Sequence, residues 1–489
     1  MTKVAAIVGG GVIGGGWAAR FLLNGWDVKI FDPDPQSQRK IEAVVENARR
    51  ALPGLTDVSL PQEGSLSYCN TIEKAVSSSE LIVEAVPERL DIKHKVYADI
   101  EAANTTGIIA SSTSGIMPSD LQSELKHPER LIVAHPFNPV YLLPLVELVA
   151  GKLTDAAHIE KAKAIYNSIG MHPLHCRVEI EGFLSDRLQE ALWREALWLL
   201  KDGVATAEEL DAAIAYGPGL RWAQMGTMQT FHLAGGEGGM RAMLAMFGPC
   251  LKWPWTKLMD VPELTNDFVE MVGDQCDTQS GPLRPRDLER VRDNNLVGII
   301  RSLRGGEWGA GATAKAHDKH LTALNGFDVR AAELDASQPI VTSKRTVPLD
   351  WVDYNGHMNE ARYLQAFGDA TDKFMEMIGC DADYIATGGS YFTAETHIRH
   401  IDEVRAGTQI DVKTQVLLGE GKKMHLWHEM YAGERLLATA EHMLIHVSLE
   451  TRRPSTPSDQ IETALSRIAQ GHAHLPRPDA AGASVGVRG

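Results

Sequence analysis

The segment VAAIVGGGVIGGGW restricts this chain more than any other. Gly9-x-Gly11-x-x-Gly14 follows an apolar run and opens a helical pattern from Trp17 to Leu23. Glycines at those offsets permit a tight strand-to-helix turn and bring backbone N–H groups close to a pyrophosphate. The helix N-terminus adds partial positive charge there. Asp32 ends the next apolar run, DVKIF. A carboxylate at that point can accept hydrogen bonds from an adenosine ribose diol and would repel a 2′-phosphate. The expected cofactor is therefore NAD rather than NADP, held by Gly9, Gly11, Val12, Ile13, Gly14 and Asp32. An FAD-binding version of the same turn is the competing reading.

The same opening is apolar enough to resemble a secretory leader. Its glycines fall at fixed offsets and no small-residue cleavage pattern follows, so it reads as strand, turn and helix. Further runs, LIVEAV, GIIASS and RLIVAH, alternate with polar helical stretches up to about Cys176. Continuous apolar strands of this kind indicate a parallel sheet covered by helices on both faces. Beyond Glu181 helical spacing dominates, beginning with FLSDRLQEALWREALWLLKDG. From Ser343 a short strand, SKRTVPL, precedes a long helix from Glu360 to Ile378 and four strand-like segments. The expected fold class is multidomain α/β: a Rossmann doubly wound parallel sheet, an all-α domain, then an α+β domain whose antiparallel sheet wraps one helix. The expected boundaries are residues 1–180, 181–324, a linker at 325–341, 342–459, and a C-terminal helix with a disordered tail at 460–489.

At 489 residues the chain exceeds one ordinary core. A formal charge of −16 argues against a phosphate backbone or an anionic membrane surface as partner. No run of about 18 apolar residues is present to span a bilayer. The five cysteines, Cys69, Cys176, Cys250, Cys276 and Cys380, are scattered without a C-x-x-C pair, which suits a reducing compartment and supplies no metal site. A cytoplasmic enzyme of small molecules is expected, with no nucleic acid, membrane or metal partner.

His135 stands at the C-terminal end of RLIVAH, the sheet edge at which chemistry gathers in such folds. Oxidising a secondary alcohol requires a base for the O–H proton, and an imidazole titrates near working pH. Glu147, inside the apolar LVELV, is the candidate to orient that ring; the alternative is a structural His before Pro. Residues 4–239 resemble the 3-hydroxyacyl-CoA dehydrogenase family in motif order and spacing. His135-Pro-Phe-Asn138-Pro139 matches that family's H-F-F-N-P except for one aromatic. The resemblance implies that His135 and Glu147 are catalytic, that Ser114 of Ser111-Ser-Thr-Ser114 contacts substrate, and that Glu88 and Lys93 contact NAD.

One departure from the family bears on the substrate. Its G-F-x-x-N-R carries an Asn beside the catalytic His, whereas this chain has Gly182-Phe-Leu-Ser-Asp186-Arg187. An anion suits a neutral thioester carbonyl poorly but can attract a cation. Aromatics in the helical region, Trp193, Trp198, Trp222, Phe231, Trp253 and Trp255, are what a quaternary ammonium prefers, although core packing is the plainer use of each. A small 3-hydroxy acid bearing such a group is the expected substrate; a 3-hydroxyacyl-CoA or an uncharged 3-hydroxy acid is the alternative.

Asp353-Tyr-Asn355-Gly-His357-Met-Asn359 precedes the long helix. It resembles the D-x-N-x-H-x-N signature of hot-dog-fold acyl thioesterases. The resemblance implies that Asp353 is base or nucleophile, that Asn355 and His357 are supporting polar groups, and that Glu395 is a further candidate for activating water. A helix-capping turn at Asn359 is the alternative, as is a non-catalytic acyl-CoA sensor or oligomerisation module. Both resemblances imply at least a homodimer. A regulator that binds NAD without chemistry would leave His135, Glu147 and Ser114 together without a purpose.

Overall fold

Strand β1 (Val4–Val8) lies inside an eight-stranded sheet ordered β3-β2-β1-β4-β5-β6-β7-β8. The structure is a computed structural model that describes residues 3–248 apart from 224, 236 and 238, scattered residues between 249 and 284, residues 285–324 and residues 334–483. The chain forms two units: residues 1–48 with 63–317, and residues 49–62 with 318–489.

In the first unit β2 (Asp27–Phe31), β4 (Leu81–Glu84), β5 (Ile108–Ser111) and β6 (Leu131–Pro136) extend the parallel register from β1, as their apolar runs predict. The sheet is not parallel throughout. β7 (Leu145–Ala150) runs antiparallel to β6, because residues 137–144 are too few for the crossover that parallel neighbours need. Two strands escaped the sequence reading: β3 (Leu66–Cys69) and β8 (His172–Cys176) are the sheet's edges, where half-exposed LSYC and HPLHC carry no continuous apolar run. Helices α1 (Val12–Leu23), α2 (Ser37–Ala51), α3 (Ile72–Val76), α4 (Leu90–Ala103), α5 (Pro118–Leu121) and α6 (Ala156–Ser168) connect the strands. Helices α7 (Ser185–Lys201), α8 (Ala207–Ala215), α9 (Pro218–Trp222), α10 (Thr227–Ala234) and α11 (Gly239–Phe247) follow, then α12 (Pro285–Arg304) and α13 (Ala310–Leu324).

In the second unit five antiparallel strands, β9 (Ile340–Thr346), β10 (Gly389–His400), β11 (Gln409–Glu420), β12 (Lys423–Ala432) and β13 (Arg435–Ser448), are ordered β10-β13-β12-β11-β9. Helix α14 (Glu360–Met377) begins at Asn359, whose side chain accepts the Ala361 N–H. Its residues Tyr363, Ala366, Phe367, Ala370 and Phe374 recur at helical spacing and are buried, packing with strand residues such as Val412, Met430 and Leu444. After a short α15 (Ala382–Ala386), α16 (Asp459–His472) adds Ile461, Leu465 and Ile468 to that core. This is the single helix wrapped by a sheet that defines a hot-dog domain.

Candidate functional site

The glycine turn of the first unit explains itself position by position. Gly9 has φ of 108°, and a Cβ on Gly14 would stand 1.8 Å from the Gly9 carbonyl oxygen, so backbone geometry demands both. A Cβ on Gly11 would meet no protein atom within 4 Å. Packing within the chain does not require that glycine, and the open space beside it suits close approach of a ligand to the first turn of α1. Val12 and Ile13 begin that turn, and no side chain caps it. Asp32, just past β2, accepts the N–H groups of Gly10 and Asp34, which hold its carboxylate at the strand end. These features fit a dinucleotide with an unmodified ribose.

The β6–β7 pairing sets the reacting centre. His135 and Glu147 are direct register partners, and both are buried. His135 Nδ1 lies 3.2 Å from Glu147 Oε2, so the carboxylate holds the Nδ1–H tautomer and leaves Nε2 as the basic atom. Glu147 Oε1 accepts the N–H groups of Leu184 (3.1 Å) and Ser185 (3.0 Å) and the Ser185 hydroxyl (3.1 Å). Burial pushes the Glu147 carboxyl up, but the hydrogen bonds from His135 and Ser185 and the charge of His135 outweigh it and hold it below the usual range. Sequence reading missed Ser185. Its donors face Glu147 because Gly182 (φ 68°) and Phe183 (φ 49°) both adopt the left-handed region just before α7; the only cue in the sequence is a Gly-Phe break ahead of a helix start.

Around Nε2 the structure gathers Ser114, whose Oγ is 3.2 Å away, and Asp186, whose Oδ2 is 3.5 Å away. Burial pushes the Asp186 carboxyl up against the pull of His135, with the Glu147 and Glu190 anions adding to the rise. Phe137 and Phe183 flank the imidazole, with ring centroids at 5.0 and 5.7 Å. Asp186 opens onto a cleft of about 500 Å³ shared with Glu190, Arg187 and Arg194. Among the described residues lining it, none is aromatic. Trp193, Trp222 and Phe231 are exposed elsewhere, and Trp198 lies under the ammonium groups of Lys201 and Lys257. Trp253 and Trp255 lie outside the described residues. The aromatics expected around a cation are therefore not brought to Asp186 by the described residues.

Glu88 accepts the Thr113 hydroxyl and the N–H groups of Ser114 and Gly115. Lys93 is buried, with its ammonium 2.8 Å from Glu84 and 3.3 Å from Glu88. Glu84 was not singled out in the sequence, although an acid ending the apolar LIVE run signals buried partners.

In the second unit Asp353 Oδ1 accepts the N–H groups of Asn355 (2.8 Å) and His357 (3.4 Å), tying the loop just before α14. His357 Nε2 lies 3.2 Å from Glu403 Oε1, with no aligned hydrogen bond. The Asn355 side chain is exposed, and Glu395 stands exposed beside a bulge in the edge strand β10. Among the described residues, no hydrogen bond or ion pair joins the Asp353 carboxylate to the side chains of Asn355, His357 or Glu395. The loop does place a carboxylate near the amide-rich start of α14, where a developing oxyanion would be stabilised.

Three family models divide the chain in the same order: the NAD-binding domain of 3-hydroxyacyl-CoA dehydrogenase over residues 4–179, that enzyme's C-terminal domain over 182–264, and the thioesterase-like superfamily over 347–465. The chain is 58% identical over 98% of its length to a Ruegeria pomeroyi protein named L-carnitine dehydrogenase/betainyl-CoA thioesterase, and it covers 99% of that protein. A Mesorhizobium japonicum L-carnitine dehydrogenase is 57% identical, matching 65% of this chain and 90% of its own length. A crystal structure of 5-formyl-3-hydroxy-2-methylpyridine 4-carboxylic acid 5-dehydrogenase superposes with a TM-score of 0.54 at 28% identity, over 62% of this chain and 99% of the other. An NAD-dependent 3-hydroxyacyl-CoA-dehydrogenase-type enzyme thus occupies the first part of the chain and a hot-dog thioesterase the last. The chain belongs to the family of two-module proteins that includes the curated L-carnitine dehydrogenase/betainyl-CoA thioesterases.

Proposed function

We propose that the first module oxidises L-carnitine to 3-dehydrocarnitine and that the second hydrolyses betainyl-CoA to glycine betaine and CoA. The observation that carries the first half is the carboxylate of Asp186, 3.5 Å from the basic nitrogen of His135. In carnitine one C–C bond separates the hydroxyl-bearing carbon from the carbon that carries the trimethylammonium. A hydroxyl seated on Nε2 therefore brings that cation within reach of Asp186. Bound NAD supplies the hydride acceptor. The chain's own groups do the rest: His135 takes the hydroxyl proton at Nε2, Glu147 stabilises the resulting imidazolium, and Ser114 hydrogen-bonds the substrate oxygen. Arg187 and Arg194 are the cations of the cleft to which the substrate carboxylate can pair. In this reading Glu88 and Lys93 border the cofactor, and Asp353, supported by Asn355 and His357, initiates thioester hydrolysis.

The test compares NADH formation from L-carnitine, 3-hydroxybutyrate and 3-hydroxybutyryl-CoA. Carnitine should be preferred, and Asp186→Asn should lower kcat/KM for carnitine by ~10–100-fold while changing that for 3-hydroxybutyrate little. Faster oxidation of the acyl-CoA would remove the carnitine assignment.

The same reading makes the protein a cytoplasmic homodimer. Supporting this, α7 to α10 expose Leu188, Trp193, Leu220, Met228 and Leu233, and the edge strand β10 exposes Phe392. Cys69, Cys176 and Cys380 are free thiols, and no described helix is long and apolar enough to cross a membrane. Light scattering on the purified chain should give twice the protomer mass.

A further inference from the structure

Apart from His135 and its partners, the first unit buries a second charged network. Glu84 is fully buried at the end of β4. Its Oε1 accepts the Val86 N–H (2.9 Å) and the Lys93 ammonium (2.8 Å), and its Oε2 accepts the Tyr97 and Ser111 hydroxyls, each at 2.6 Å. A carboxylate offers about four acceptor positions, and all are taken by the protein, so Glu84 has none left for a ligand. Lys93 links it to Glu88 at 3.3 Å. Glu88 receives the Thr113 hydroxyl and the N–H groups of Ser114 (3.1 Å) and Gly115 (3.3 Å). Ser114 Oγ then meets His135 Nε2 at 3.2 Å. An unbroken line of bonds, several of them charge-assisted, joins the end of β4 to the basic nitrogen.

We infer that Glu84 is a positioning residue: through Lys93 and Glu88 it fixes the Thr113–Gly115 loop, so that Ser114 stays aligned with His135 and the alcohol between them. The inference rests on the reading of His135 as the base. Glu84, Lys93 and Thr113 are buried and Glu88 and Ser114 are exposed. A buried polar anchor whose members are all satisfied holds one geometry, and a misplacement of about 1 Å at a reacting centre costs ~100-fold in rate. Glu84 and Thr113, which lie on the inner side of the network, therefore act on the rate of proton removal, while the exposed side of Glu88 stays free to border the cofactor.

Thr113→Val tests this most directly. It keeps side-chain shape while deleting the bond to Glu88, together with the Ile116 N–H bond that Thr113 also accepts. In the full chain, kcat for carnitine oxidation should fall ~10-fold with the KM for NAD within about twofold of wild type, and Thr113→Ser should restore it. Glu84→Gln should lower kcat ~100-fold with the same unchanged KM. Thioester hydrolysis by the same preparation reports on the integrity of the second module. A raised KM for NAD at unchanged kcat would make these residues cofactor contacts and overturn the inference, as would wild-type kcat in Thr113→Val. If Glu84→Gln does not fold, Thr113→Val decides alone. His135→Ala separates the two layers: retained oxidation removes the base itself, whereas lost oxidation beside a silent Thr113→Val removes only the positioning network.

Discussion

Glu147 shows how much one side chain can settle. Its carboxylate is held ionised by donors on two sides, so His135 has one tautomer available. An amide in its place can present an N–H to Nδ1 and force the other. Glu147→Gln should lower kcat ~100–10,000-fold with little effect on NAD affinity, as measured by cofactor fluorescence titration. Asp186 gives a pH prediction of its own. Its carboxyl is raised above the ordinary carboxylate value by partial burial, with the Glu147 and Glu190 anions adding to the rise. It attracts a cation only above that raised value, so the KM for carnitine should climb as pH falls through it. The KM for 3-hydroxybutyrate, which lacks the ammonium, should not follow. His135 and Glu147 were legible as polar residues at the end of and inside apolar runs, whereas Asp186 drew notice only because the family that the sequence resembles carries an Asn there. Leu184 and Ser185 were not, since their N–H groups face Glu147 only through two left-handed residues that no periodicity records.

Elements were legible in proportion to their burial. Central strands β1, β4, β5 and β6 carry uninterrupted apolar runs and fell where those runs lie, whereas β3 and β8, half exposed at the edges, left no such trace. The direction of β7 was hidden for a different reason: orientation is decided by connection length, not by strand composition. In the second unit α14 announces itself by its apolar stripe, and Phe367 is its fully buried centre. Phe367→Ala should cost about 3–5 kcal/mol of stability, read as a lower urea midpoint of the thioesterase module.

For the molecule as a whole, solution pH acts differently on its two modules. The second unit buries His428 and His442 in a cluster with Thr371 and Thr414. Burial pushes His428 well below the usual imidazole range and His442 down to about 4. Both are therefore neutral in the fold, while the unfolded chain binds protons near 6.5. Stability is unaffected above that value and falls as pH drops from 6.5 towards 4, by about 1.4 kcal/mol per pH unit for each ring. Thermal unfolding of the thioesterase module should track this window, and His428→Gln with His442→Gln should flatten it. The two chemistries should also separate by mutation: Asp353→Asn is expected to abolish CoA release from betainyl-CoA while NADH formation continues. The motifs for both modules were plain in the sequence because each packs its chemistry into a few consecutive residues. The expected aromatics are not brought to Asp186 by the described residues, because residues distant along a helical region gain a common direction only through packing.

Side chains alternate along β6 and β7, and His135 faces Glu147 across that pair. Adding or removing one residue within β7, between the 137–144 connection and Glu147, would turn the glutamate to the opposite side of the sheet and set a hydrophobic neighbour against the imidazole. Length variation among natural relatives should therefore be barred from this short stretch, however freely their surface loops drift.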